Sequence, residues 1–185
     1  MRIYISRHGE SVNNINNIIG GDCHLTEKGK RFGLFLRDYF KVEEFLTVWT
    51  SKLIRTIETA EKITNACTKQ WEELNEIDSG DFDGFDLKHI QDMHPEQYKH
   101  RNDDKLNKSY PNGENYKDLQ RRVYKVLDTI DMTQDGTLLI ISHKAISRVI
   151  HSYFTRTPID TSIQIKLNTL YKLENGEFSS IYSNL

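Results

Sequence analysis

Apolar positions along the chain come in short strand-like runs separated by stretches with helical spacing. Ile3, Tyr4 and Ile5 form a β-branched and aromatic run, which predicts a buried strand that stops at Arg7-His8-Gly9. Thr26 and Glu27 open a stretch in which Phe32, Phe35, Leu36 and Tyr39 share one apolar stripe, as a helix requires. Residues 45–50 predict a second strand, Ser51 a cap for a helix running to residue 64, and residues 71–74 a short strand. From 78 to 113 the pattern is irregular, polar and rich in Gly and Asp, with Pro95 and Pro111 as punctuation. Short helices are expected there over 87–93 and 95–100. Residues 115–132 predict an amphipathic helix burying Leu119, Val123, Val126, Leu127 and Ile130. Residues 137–142, TLLIIS, are apolar on both faces, as a central parallel strand should be. A helix follows over 145–154. Two alternating segments, 162–173 and 178–182, joined by Asn175-Gly176, predict a terminal hairpin.

Strands that alternate with helices imply an α/β fold. The expectation is one three-layer domain over residues 1–185, its sheet mostly parallel with an antiparallel edge and helices on both faces. The chain has 185 residues, 37% of them hydrophobic, which is enough apolar material for a single core. A net charge of −2 excludes a broad field that would select nucleic acid or an anionic membrane, so an acidic ligand needs a local basic cluster. Cys23 and Cys67 form no CxxC pair, which fits a reducing compartment. No run approaches the roughly 20 apolar residues of a membrane span, and no signal peptide is visible. A soluble, cytoplasmic protein is expected, as a monomer or a homodimer, with residues 162–182 as a possible dimerising edge.

In an open α/β sheet, ligands bind beyond the carboxyl ends of the strands. Three predicted strand ends deliver reactive groups there: Arg7-His8-Gly9, Ser142-His143, and Ser51 leading to Arg55. This set suits phosphoryl transfer, which depends on positioning and electrostatic stabilisation. Arginines bind phosphoryl oxygens bidentately at any relevant pH. A neutral imidazole can attack phosphorus and carry the group as phosphohistidine, and Gly9 would let the backbone approach the anion. The leaving alkoxide needs a proton, for which Glu76, after the predicted 71–74 strand, is the best-placed carboxylic acid. Rival readings are weaker. Asp78 to Gly84 resembles a calcium loop, but aligning Gly84 as the sixth position puts Ile90 where a bidentate Glu is needed. His89, His94 and His100 lack the spacing of a metal pair, so no metal is expected. Arg121-Arg122 reads as a solvated helix face.

The segment Ser6-Arg7-His8-Gly9-Glu10-Ser11 together with Ser142-His143 resembles the histidine phosphatase superfamily, which includes phosphoglycerate mutases and many phosphatases. A narrower similarity covers about residues 2–154. Asn14, Ile19-Gly20-Gly21-Asp22, Val48-Trp49-Thr50-Ser51, Arg55-Thr56-Ile57, Leu74-Asn75-Glu76-Ile77-Asp78 and Tyr110-Pro111 with Gly113-Glu114 resemble the fructose-2,6-bisphosphatase domain of the bifunctional kinase/phosphatase. The resemblance implies a phosphoglycerate mutase-like fold and no cofactor. It makes His8 the nucleophile and Glu76 the proton donor, with Arg7, Arg55 and His143 on the transferred phosphoryl group and Asn14 assisting. Ile19 and Gly20 would meet the rest of the substrate through their backbone. Arg101 and Lys105 would bind a second phosphate, with Tyr116 and Arg148 nearby.

Two positions depart from the bisphosphatase pattern: Leu87 stands where those enzymes have a tyrosine, and Lys144 where they have a glutamine. Both lie on the substrate side. The expected partner is a small phosphorylated metabolite, best fructose 2,6-bisphosphate, cleaved by a stand-alone phosphatase module. A phosphoglycerate mutase, or a phosphatase of other sugar phosphates or phosphoproteins, is the alternative; known mutases carry a longer insertion between the two histidines.

Overall fold

The computed structural model describes residues 1–182. Its centre is a six-stranded sheet made of β1 (Arg2–Arg7), β2 (Leu46–Ser51), β3 (Ala66–Trp71), β4 (Thr137–Ser142), β5 (Thr169–Glu174) and β6 (Glu177–Tyr182), ordered β3-β2-β4-β1-β5-β6. The first four strands run parallel, and the β5–β6 hairpin is antiparallel to β1 and forms one edge. Asn175 and Gly176, both at positive φ, make the two-residue turn of that hairpin. The helices are α1 (Val12–Ile15), α2 (Glu27–Phe40), α3 (Ile54–Ala60), α4 (Leu87–Met93), α5 (Pro95–Asp103), α6 (Tyr116–Leu127) and α7 (Lys144–Thr155).

β4 explains the layering. Successive side chains of a strand point to opposite faces, and every residue of β4 is buried. Leu138 and Ile140 pack with Leu119 and Val123 of α6 and Ile146 and Val149 of α7. Leu139 and Ile141 pack on the other face with Phe32, Leu36 and Phe40 of α2 and Ala60 of α3. A strand covered on both sides must be apolar on both, which is what TLLIIS supplies. Each such side chain contributes about 1.5–3 kcal/mol on burial.

Several boundaries differ from expectation. Residues 71–74 are not a strand; β3 ends at Trp71 and Glu72–Leu74 is a 3-10 turn. β3 has an exposed, polar middle, so it carries little apolar pattern to read. The long amphipathic helix stops at Leu127, and residues 128–130 tighten into i→i+3 bonds, Thr129 N–H to Val126 O and Ile130 N–H to Leu127 O. On α2 the buried stripe is Phe32, Leu36 and Phe40, whereas Tyr39 is 37% exposed and packs edge-on against Tyr4 and Phe40. Of the 162–173 segment only Thr169 onward is strand.

Candidate active site

A cavity of ≈ 320 Å³ opens beyond the carboxyl ends of β1, β2 and β4. The parallel register sets Arg7 opposite Ser142, so the residues that follow each strand, His8 and His143, emerge side by side. Their ring centroids are 5.2 Å apart, and both imidazoles are buried. The two histidines that lie far apart in sequence thus form one pair.

The His8 ring is held in one tautomer. Its Nδ1 lies 2.7 Å from the carbonyl oxygen of Gly9. A carbonyl only accepts, so Nδ1 carries the proton and the lone pair resides on Nε2. Burial, reinforced by the charges of Arg7 and Arg55, pushes the His8 pKa well below its ordinary value, keeping the ring neutral. The Gly9 N–H donates to Thr59 Oγ1 at 2.9 Å, and Thr59 donates to the Arg55 carbonyl at 2.6 Å, tying the nucleophile loop to α3. Packing also requires a glycine at position 9. A Cβ there would come within 2.5 Å of the Gly29 carbonyl oxygen on α2.

His143 is anchored through Nε2, 2.8 Å from Ser51 Oγ, while its buried Nδ1 has no protein partner. Ser51 was expected to cap a helix. Instead Leu53 is the N-cap of α3 and donates its N–H to Ser51 Oγ at 3.1 Å, and Asp22 accepts the Ile54 N–H at 2.7 Å. With Thr56 Oγ1 also 2.8 Å away, Ser51 can accept from Leu53 and Thr56 and donate to Nε2. In that arrangement the proton of His143 sits on Nδ1. Burial, then the charges of Arg55 and Arg7, hold this ring neutral too.

Arg7 and Arg55 flank the histidines. Arg55 is buried and bonds the Gly21 carbonyl at 2.8 Å, and Arg7 has an orphaned Nε. Burial pushes the Arg7 pKa down, yet a guanidinium stays charged. Glu76 faces the same space, its Oε1 accepting the backbone N–H groups of Ile77 at 3.0 Å and Ala145 at 3.2 Å. Ala145 is the second residue of α7, so helix and carboxylate are placed by one contact.

A second basic group lies farther along the cavity. Arg101 is buried, stacks on Tyr110 at 4.2 Å from the ring centroid, and has an unpartnered Nε. Arg148 donates to Tyr116 Oη at 2.8 Å and to the Ile163 carbonyl at 2.9 Å. Lys105 and Lys144 also line the wall. Against Arg7, Arg55, Arg101, Lys105, Lys144 and Arg148, Glu76 is the only acidic side chain lining the cavity among the described residues. A chain of net charge −2 therefore holds a concentrated positive site.

Asn14 borders the cavity with its carboxamide oxygen occupied by the Ser11 N–H and hydroxyl, each at 3.0 Å, which leaves its NH2 for a ligand. Ile19 and Gly20 line the cavity as expected, but the Ile19 backbone is already bonded to Phe85 and Gly84. Gly20 sits at φ +68, and a Cβ would fall 1.7 Å from Asp83 Oδ1. Leu87 is at the mouth, 41% exposed. Sequence reasoning gave no site role to Thr59 or Tyr110 and read Ser51 only as a cap, although Ser51 and Tyr110 lie in segments that carry the bisphosphatase resemblance. It also misjudged Arg122, which is no solvated residue. Its guanidinium bonds Glu114 and the carbonyls of Glu73 and Glu76, fastening the segment that carries the carboxylate. Arg121 does lie at the surface, paired with Asp118.

The family model for the histidine phosphatase superfamily (branch 1) matches residues 3–178. Fructose-2,6-bisphosphatase of Saccharomyces cerevisiae is 39% identical over 177 residues, covering 93% of this chain and 38% of that protein. The 6-phosphofructo-2-kinase/fructose-2,6-bisphosphatase of Gallus gallus is 38% identical over 191 residues, covering 99% of this chain and 40% of that protein. The chain thus spans less than half the length of these relatives. Among solved structures, Bacillus stearothermophilus YhfR has a TM-score of 0.81 at 27% identity, over 96% of this chain and 94% of that one. The α-ribazole phosphatase from Shigella flexneri shares the fold at a TM-score of 0.85 and 20% identity, over 100% of this chain and 96% of that one. A match that runs from the first strand into the last, on a sheet shared with these structures, makes the chain a member of the histidine phosphatase superfamily, branch 1.

Proposed function

We propose that the chain hydrolyses a small phosphorylated metabolite, with fructose 2,6-bisphosphate cleaved at its 2-phosphate, through a phosphohistidine on His8. The observation that carries this reading is the clamp of Nδ1 on the Gly9 carbonyl, which leaves a neutral, lone-pair Nε2 among unpaired donors. In the first step Nε2 attacks phosphorus and the ester oxygen leaves. Glu76 gives that oxygen a proton, while Arg7, Arg55, His143 Nδ1 and Asn14 take the charge on the transferring group. In the second step the Glu76 carboxylate accepts a proton from water, whose oxygen attacks the phosphohistidine. Inorganic phosphate leaves, and His8 is restored.

The choice of a bisphosphate is supported by the second basic group of Arg101, Lys105 and Arg148, with Tyr116 bonded to Arg148. The names of the relatives that are 36–39% identical favour fructose 2,6-bisphosphate in particular. The free thiols of Cys23 and Cys67 fit a reducing, cytoplasmic setting.

The test is turnover of fructose 2,6-bisphosphate in the presence of EDTA, with trapping of the enzyme by acid or alkali. Wild type should release phosphate and fructose 6-phosphate and carry an acid-labile, alkali-stable label. His8→Ala should lose both activity and label, and full activity in that variant would refute the mechanism.

A further inference from the structure

We propose that Lys144 makes this site select compact bisphosphates over monophosphates, its ammonium bridging a phosphate at the His8 end and a phosphate at the Arg101 end. This rests on the bisphosphate reading above and assigns its selectivity to one side chain.

The position of Lys144 follows from the fold. It is the first residue of α7, immediately after His143 and two residues after Ser142, which pairs in register with Arg7. Arg148 lies four residues on, so the two cations share a face of the helix. Lys144 therefore stands between Arg7, which belongs to the reacting end, and Arg148, which belongs to the distal end. All three line the cavity.

The partners of these cations differ. Arg7 donates to the Ile165 carbonyl at 3.4 Å, Arg55 to the Gly21 carbonyl, Arg148 to Tyr116 and Ile163, and Arg101 stacks on Tyr110. The side chains of Lys105 and Lys144 have no hydrogen bond or ion pair among the described residues. Lys105, beside Arg101, belongs to the distal end. Lys144 is left over, half-buried, with like charges on either side. Burial, then Arg148, Arg7 and Lys105, push its pKa down against the opposing pull of Glu76, so it senses cations from both ends of the cavity. Like charges at i and i+4 are unfavourable, and the single carboxylate of Glu76 is shared with the other cations of the cavity. An anion between them removes the cost, and two anions interact with Lys144 more than one does. A lysine merely solvated at the cavity rim would not distinguish the two kinds of ligand.

The experiment measures binding in a His8→Ala background, where nothing turns over, by calorimetry with fructose 2,6-bisphosphate, fructose 6-phosphate and inorganic phosphate. Adding Lys144→Gln should raise Kd for the bisphosphate by about 10- to 100-fold, the value of one charge-assisted hydrogen bond. It should move Kd for inorganic phosphate and fructose 6-phosphate by less than about threefold, and Lys144→Arg should retain most of the bisphosphate affinity. Equal shifts for all three ligands, no shift, or a bisphosphate bound no tighter than phosphate when Lys144 is present would overturn the proposal. Failure of the phosphatase reading itself would appear separately, as absence of turnover and of label on His8 in wild type.

Discussion

Replacing Ser51 with alanine tests how the second histidine is made useful. Ser51 is fully buried and its hydroxyl reaches three groups: His143 Nε2 at 2.8 Å, Thr56 Oγ1 at 2.8 Å and the Leu53 N–H at 3.1 Å. Once Ser51 Oγ is gone, Thr56 can turn its hydroxyl proton to the Leu53 carbonyl at 2.9 Å, so its loss is small. Nε2 and the Leu53 N–H are left short of a partner, at about 1–3 kcal/mol for a buried group and less for the half-buried Leu53. A destabilisation of about 2–3 kcal/mol is expected, measured by urea unfolding. The effect on chemistry comes through the tautomer. With Ser51 gone, nothing holds the proton on Nδ1, the donor that the proposed mechanism assigns to the transferring group. Loss of a donor to transition-state charge costs on the order of 10²–10³ in kcat, and a ring that still visits the right tautomer should lose about 10- to 100-fold. KM should change less than about threefold. The assay is steady-state hydrolysis of fructose 2,6-bisphosphate, with imidazole nitrogen shifts read by NMR. A folded Ser51→Ala enzyme with kcat within about twofold of wild type would refute the assignment of Nδ1 as donor.

Two further outcomes follow from the same geometry. Because burial holds His8 and His143 neutral, the unfolded chain binds more protons than the folded one below the ordinary histidine pKa of 6.5. Stability should be fully present above that pH and fall as the pH drops below it, by up to roughly 1.4 kcal/mol per pH unit for each histidine. Urea unfolding from pH 7.5 downward in wild type and His143→Gln checks this, and identical slopes would contradict it. Arg122→Met should release the Glu73 and Glu76 carbonyls, lowering kcat by about tenfold with little change in KM. An unchanged kcat would mean that Arg122 does not position Glu76.

How much of this was legible in the sequence varied with the kind of interaction. β4 and α6 were readable because their partners impose a period on them: burial on both faces for TLLIIS, one buried stripe for Leu119, Val123, Val126 and Leu127. β3 was not, because an edge strand with an exposed middle has no such constraint, and residues 67–70 were assigned no element. The same limit misplaced the helix cap. Ser51 has the right residue type and position for capping, but its hydroxyl is drawn instead to His143, 92 residues away. At Gly9 the structure adds a packing reason that the sequence did not show, since the Gly29 backbone excludes a side chain there.

Sequence alone determined the class of fold, the strand-end positions of His8 and His143, and the residue types that suit phosphoryl transfer. Those depend on local hydrophobic period and on chemistry carried within one side chain. Tertiary structure decided the rest. The Arg7–Ser142 register brings the histidines to 5.2 Å. The Gly9 carbonyl and Ser51 select their tautomers, Arg122 secures the Glu76 segment, and α5 and α7 bring Arg101 and Lys144 to the wall. The physical reason is that a tautomer, an orphaned donor or a crowd of like charges is a relation among groups distant in the chain. Only folding sets the distances that give those relations their energy.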